Sequence, residues 1–201
     1  MIQRSEKTLV PALAALALLF AGSVAFAQQS SSSTTGTQHT AKPATHIMSD
    51  AEFARSAAEA NLAEVKLGNL AQQQGNTQTI KDFGKRMVTD HSNAEDNLKT
   101  AAASSKIDLP TTLDAKDQAV YDRLAKLSGE AFDRAYALDM VRDHRGDVAE
   151  FRHEANDGKD AAIKTFASST LPTLETHLKL AREMYHSVSA QKTSESKSHS
   201  G

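Results

Sequence analysis

The sequence predicts an all-α protein, a ferritin-like four-helix bundle with a long middle connection carrying a short helix. Three observations lead there. The 201 residues include only 9 Gly and 4 Pro and no Trp or Cys, with abundant Ala, Leu, Lys, Asp and Glu, a helix-forming composition. Four segments of nearly equal length carry apolar residues at helical spacing. Two of the links between them are tight, and the middle one is long enough to cross the full height of a bundle.

The chain opens with an address. Arg4 and Lys7 precede an apolar run from Leu9 to Phe26, and Ala25-Phe26-Ala27 fits a small-x-small cleavage rule. This reads as a secretory signal peptide over 1–27, and no transmembrane segment remains after its removal. Cleavage takes away two cations and one anion, leaving a net charge of −3. Residues 28–45 are Ser, Thr and Gln-rich and read as a flexible tether. The folded domain is expected over 46–188, followed by a disordered tail over 189–201. The location implied is periplasmic or secreted.

The first helix begins at Ser49, with Glu52 completing a capping box, and runs to Gln74 before Gly75-Asn76. The second spans about 77–105. Pro110 marks a loop, and a short helix follows over about 114–127. Ser128 is placed to cap the third long helix, about 130–156, which stops at Asp157-Gly158. The fourth runs over about 159–187. Pro172 lies inside it and predicts a kink or break near Thr170.

Heptad spacing assigns a buried seam to each helix. The seams read Phe53, Ala57, Ala60, Glu64, Leu67, Ala71; Ile80, Gly84, Met87, His91, Ala94, Leu98; Phe132, Tyr136, Met140, His144, Val148, Phe151, Ala155; and Ile163, Ala167, Thr170, Leu174, His177, Ala181, Met184. Each is mostly apolar, and each carries one ionisable residue near its middle. With a crossover connection, Glu64, His91, His144 and His177 fall within roughly 6 Å of one height at 1.5 Å per residue. Met87-Val88-Thr89-Asp90-His91 is echoed by Met140-Val141-Arg142-Asp143-His144, so two helices present the same face.

Three imidazoles and a carboxylate can hold one divalent ion such as zinc, iron, manganese or copper. Glu64, His91, His144 and His177 are the expected ligands. Asp90 and Asp143, turned about 100° from the histidines they adjoin, are expected to support them from behind, and Glu95, one turn past His91, is a further oxygen donor. The alternative is a metal-free polar core that fixes helix register in a structural or stress-related interaction protein. A metal-dependent oxidoreductase is a third reading, although G-x-S-x-G, Walker and H-E-x-x-H motifs are all absent. A formal charge of −2 argues against nucleic-acid binding. The sequence points to no particular protein partner or oligomer. His39, His46, His186 and His199 sit in or near the chain ends, and His153 is off the seam.

Ala63-Glu64-Val65-Lys66-Leu67-Gly68, the M-V-T-D-H segment, Ser128-Gly129-Glu130-Ala131-Phe132-Asp133, His144, and Leu171-Pro172-Thr173-Leu174 with His177 together resemble the domain-of-unknown-function family 4142 of exported bacterial proteins. The resemblance covers about 47–187. It implies a ferritin-like bundle in the bacterial envelope and brings no established activity. Di-iron ferritins carry Glu-x-x-His on two helices. Here Val88, Val141 and Leu174 stand three residues before the seam histidines, so a ferroxidase centre is not expected, whereas these residues stay compatible with a mononuclear site.

Overall fold

A computed structural model describes residues 48–198, with side chains described through residue 190. The signal peptide, the tether, His39, His46 and His199 lie outside the described residues. Five helices are found there and no strand: α1 (Asp50–Gln74), α2 (Gln78–Ser105), α3 (Ala115–Leu124), α4 (Gly129–Asp157) and α5 (Ala161–Ser198).

The predicted capping box forms. The Ser49 hydroxyl accepts from the Glu52 amide, and the Glu52 carboxylate accepts from the Ser49 amide at 2.8 Å. Asp114 caps α3 by accepting from the Asp117 amide at 2.7 Å. Ser128 is the N-cap residue of α4 but makes no side-chain cap bond. Helix α2 ends on Lys106 in the left-handed conformation at φ 57°, which lets the Ile107 amide reach back to the Ala102 carbonyl.

Hydrogen bonds between the helix ends fix the topology. The Asp133 carboxylate, near the start of α4, accepts from the Asn76 and Thr77 amides in the α1–α2 turn. The Asp50 carboxylate, at the start of α1, accepts from the Lys159 and Asp160 amides in the α4–α5 turn. Arg55, low on α1, donates to the Asp108 carbonyl just beyond α2, whereas Gln74, at the top of α1, donates to the Ala125 carbonyl just beyond α3. The connection therefore climbs the full height of the bundle, and α2 and α4 run parallel. This is the crossover arrangement of ferritin-like bundles, as the long middle link predicts.

The seams are buried as expected, with only Ala60, Ala155 and Thr170 half-buried. The core forms two apolar clusters. One lies toward the α1–α2 turn, around Leu67, Met87, Tyr136, Met140 and Met184. The other lies toward the α4–α5 turn, around Phe53, Leu98, Phe151, Ile163 and Leu174. On every long helix the ionisable seam residue falls where one cluster gives way to the other.

Of the kink or break expected near Thr170, the break does not occur: helix α5 runs through Pro172. Proline costs one amide donor and crowds one carbonyl, and buried Phe166, Ala167, Leu174 and His177 hold the helix on both sides of it. Helix α5 also continues to Ser198, ten residues beyond the expected boundary at 188. Residues 189–198 contain neither Gly nor Pro, and extending an existing helix avoids the cost of nucleating one.

Candidate metal centre

His91, His144 and His177 meet in the middle of the bundle, 3%, 0% and 1% exposed. Their ring centroids lie 5.2–5.6 Å apart. One ring nitrogen from each falls within 4.8 Å of the others, the one such group of three among the described residues. Phe83 closes the layer from above, edge-on to His144 and His177 at 6.3 and 6.4 Å.

The remaining nitrogens are held from behind, each by an acceptor. His144 Nδ1 lies 3.0 Å from the Met140 carbonyl one turn earlier. A carbonyl only accepts, so Nδ1 carries the proton and Nε2 the lone pair. His177 Nε2 lies 2.8 Å from Asp90 Oδ2, and the carboxylate likewise leaves the lone pair on Nδ1. His91 Nδ1 lies 3.0 Å from Asn61 Oδ1, while the Asn61 amide nitrogen donates to Glu95 Oε2 at 3.3 Å. Glu95 thereby orients the amide so that its oxygen accepts from His91. The three nitrogens left over are His91 Nε2, His144 Nε2 and His177 Nδ1. All are buried, and no protein group donates to any of them.

Burial also keeps the rings neutral. It lowers His91 well below its ordinary range, helped by the neighbouring imidazoles, and brings His144 down to about 3. It lowers His177 too, against the opposing pull of Asp90. Three neutral imidazoles packed together, each keeping one buried nitrogen without a donor, form a nitrogen donor set. Two nitrogens on one ion stand at most about 4.2 Å apart, at about 2.1 Å per bond. Small inward rotations therefore suffice to bring the rings into bonding range.

Glu64 stands apart from this group. Its Oε1 lies 3.8 Å from Nδ1 of His144, the nitrogen on the far side of that ring, and it is not among the converging donors. Burial pushes its carboxyl well above the usual range, reinforced by Asp143 and Asp147, and burial followed by the nearby Glu64 pushes the Tyr136 hydroxyl up in turn. Asp90 does support the layer from behind, through His177 on another helix rather than through its neighbour His91. Asp143 does not touch the histidines. It faces the α1–α3–α4 side, where burial and then Asp139 raise it to about 6. Glu95 acts through Asn61 rather than as a donor to the layer. Asn61 escaped the sequence reading because its offset from the heptad seam gives no apolar signal. Its one available clue is that it lies three residues before Glu64, on the same helix face.

A groove of about 230 Å³ between α2 and α5 reaches the layer from solvent. Asp90, Asn93, Asn97 and Thr173 line it, with His91 and His177 at its inner end. No helix among the described residues is long and apolar enough to cross a membrane.

Solved structures share this fold. A protein described as "CopM in the Cu(I)-bound form" matches with a TM-score of 0.60 at 16% identity, over 70% of this chain and 98% of its own. A DUF305 fragment from Deinococcus radiodurans matches with a TM-score of 0.59 at 13% identity, over 70% and 95%. A putative secreted DUF305 protein from Streptomyces coelicolor matches with a TM-score of 0.58 at 14% identity, over 70% and 94%. No curated protein matches the sequence. At these identities the likeness is one of fold. A family model described as "Domain of unknown function (DUF4142)" matches residues 34–184, most of the sequence and nearly all of the bundle, and the chain belongs to that family.

Proposed function

We propose that this protein is an exported envelope protein that binds one copper(I) ion through His91, His144 and His177. The observation that carries the reading is a cluster of three buried imidazoles, each with one ring nitrogen that no protein group satisfies. In a metal-free polar core those lone pairs would be buried at a cost of about 1–3 kcal/mol each. A metal ion removes that cost, so the architecture favours the metal-binding reading over the purely structural one.

The donor set bears on which metal. All three ligands are neutral imidazoles, and the carboxylate bonded to the layer, Asp90, is turned to the outer nitrogen of His177 and approached by Arg86. The desolvation cost of an ion grows with the square of its charge, so an uncompensated dication is far costlier here than a monocation. Imidazole suits copper and zinc alike, but zinc sites usually complete four ligands. Three neutral nitrogens in a buried layer suit copper(I) better. The Cu(I)-bound protein of the same fold agrees with this choice. The polar groove between α2 and α5 gives the ion a way in and out, which suits a carrier or buffer of copper better than a permanently sealed structural site.

Anaerobic titration of the metal-free protein with copper(I) against a chromophoric chelator tests this. One equivalent should bind, and His144→Ala and His177→Ala should each remove at least a hundredfold of affinity while remaining helical by circular dichroism. Binding that is equally tight in both variants would sink the proposal. Preference for zinc with the same dependence on the histidines would retain the site and reject its copper selectivity.

A further inference from the structure

A second cluster lies on the opposite side of Glu64. A pocket of about 210 Å³ opens between α1, the start of α3 and the middle of α4. Seven of its lining side chains are carboxylic acids, against two cations, Lys116 and Arg142. Arg142 is directed to Asp139, 3.9 Å away, outside the pocket. Among the described residues, none of Glu59, Asp117, Asp143 and Asp147 has a cationic nitrogen within 4.0 Å.

Clustered acids alone would be an ordinary solvated face. Glu64 makes the difference. It lines the pocket on its inner side, is 3% exposed, and its Oε2 has no hydrogen-bond partner. A buried carboxyl oxygen without a donor requires a ligand or a water, and this one faces a pocket walled by carboxylates from three helices.

We propose that this pocket binds a hard divalent cation in partly hydrated form, Mg²⁺ or Mn²⁺ in preference to Ca²⁺. Oxygen-only donors select hard ions over copper. The carboxylates surround the pocket without meeting at a point, since among the described residues the histidine layer is the one group of three with donor atoms this close together. Ca²⁺ needs six to eight close oxygens, whereas Mg²⁺ keeps several waters and takes one or two carboxylates. The pocket has room for an ion with several waters. The cation would tie Glu59 and Glu64 of α1 to Asp117 of α3 and to Asp143 and Asp147 of α4, and so fasten the connecting helix to the bundle. Its ligands and those of the histidine layer do not overlap, and the two sites meet only where Glu64 Oε1 lies 3.8 Å from His144 Nδ1.

Mn²⁺ is the probe, followed by loss of the electron paramagnetic resonance signal of the free aquo ion as metal-free full-length protein is added. One ion per chain should bind. Asp147→Asn and Glu59→Gln should each weaken Mn²⁺ at least tenfold, and excess Mg²⁺ should displace it more readily than excess Ca²⁺. His177→Ala and the exposed control Asp96→Asn should leave Mn²⁺ affinity unchanged. An undiminished free-ion signal at millimolar protein would overturn the proposal. Loss of binding in His177→Ala with retention in Asp147→Asn would overturn it too, placing the ion in the histidine layer. Equal weakening by Asp96→Asn would reduce it to diffuse attraction to an acidic surface. Copper(I) affinity measured on the same Asp147→Asn sample separates failure here from failure of the histidine site.

Discussion

Asp90 sets which nitrogen of His177 is free. It holds Nε2–H at 2.8 Å and is itself approached by Arg86 at 3.9 Å. Removing the acceptor releases both tautomer and ring angle, and supporting groups of this kind are typically worth 10- to 100-fold in metal affinity. Asp90→Ala should therefore weaken copper(I) by that factor, with little change in melting temperature, since the residue is half-buried at the groove. A chelator-competition titration reads it directly, and unchanged affinity would remove Asp90 from the site. Acid should act on the ligands themselves. Their folded-state pKa values lie below the ordinary histidine value of 6.5, so the unfolded chain binds more protons in that interval. The stability they contribute is complete above pH 6.5 and is lost as the pH falls toward the folded values, about 3 for His144. Melting temperature of the metal-free protein should fall steadily below pH 6.5, and His144→Leu should flatten the slope.

At the scale of helices, the α1–α2 hairpin depends on two glycines facing one another. A Cβ at Gly84 would stand 2.6 Å from the Gly68 carbonyl oxygen and 2.8 Å from Ala71 Cβ, and a Cβ at Gly68 would stand 2.6 Å from the Gly84 carbonyl oxygen. The backbones are already as close as they can come. Gly84→Ala should cost about 1–3 kcal/mol, as overpacking does, and should weaken metal binding by displacing His91, two turns along the same helix. Gly146→Ala is the comparison. Nothing lies within 4 Å of its added methyl, so replacing an exposed helical glycine should stabilise by up to about 1 kcal/mol. Thermal melts of the two variants should move in opposite directions. The seams, the capping box and the tight turns were legible in the sequence because they rest on local rules: apolar spacing, side-chain caps and Gly breaks. The behaviour of α5 was not. Whether Pro172 breaks a helix depends on what packs on either side of it, and that is a tertiary matter.

In the whole molecule, the layer of ionisable residues divides one long core into two apolar clusters, and this was legible as one polar residue at mid-seam on each helix. Sequence heights put Glu64 level with that layer but carry no azimuth, and Glu64 lies beside His144, 3.8 Å from its Nδ1, rather than in the group of three donor nitrogens. The pairing of Asp90 with His177 was hidden for the same reason, since the partners are 87 residues apart. The crossover carries one further meaning. Helices α2 and α4 descend in the same sense from diagonally opposite corners of the bundle, each packed on α1 and α5, and both present the repeated word Met-Val-x-Asp-His toward the centre, where each His Nε2 is left without a donor. Helix α5 ascends, spells its histidine differently, and delivers Nδ1. A bundle that simply alternated up and down would have had to read one copy of that word backwards. The long climb between α2 and α4 is what lets a single pentapeptide serve twice, as the same hand offered from two facing corners.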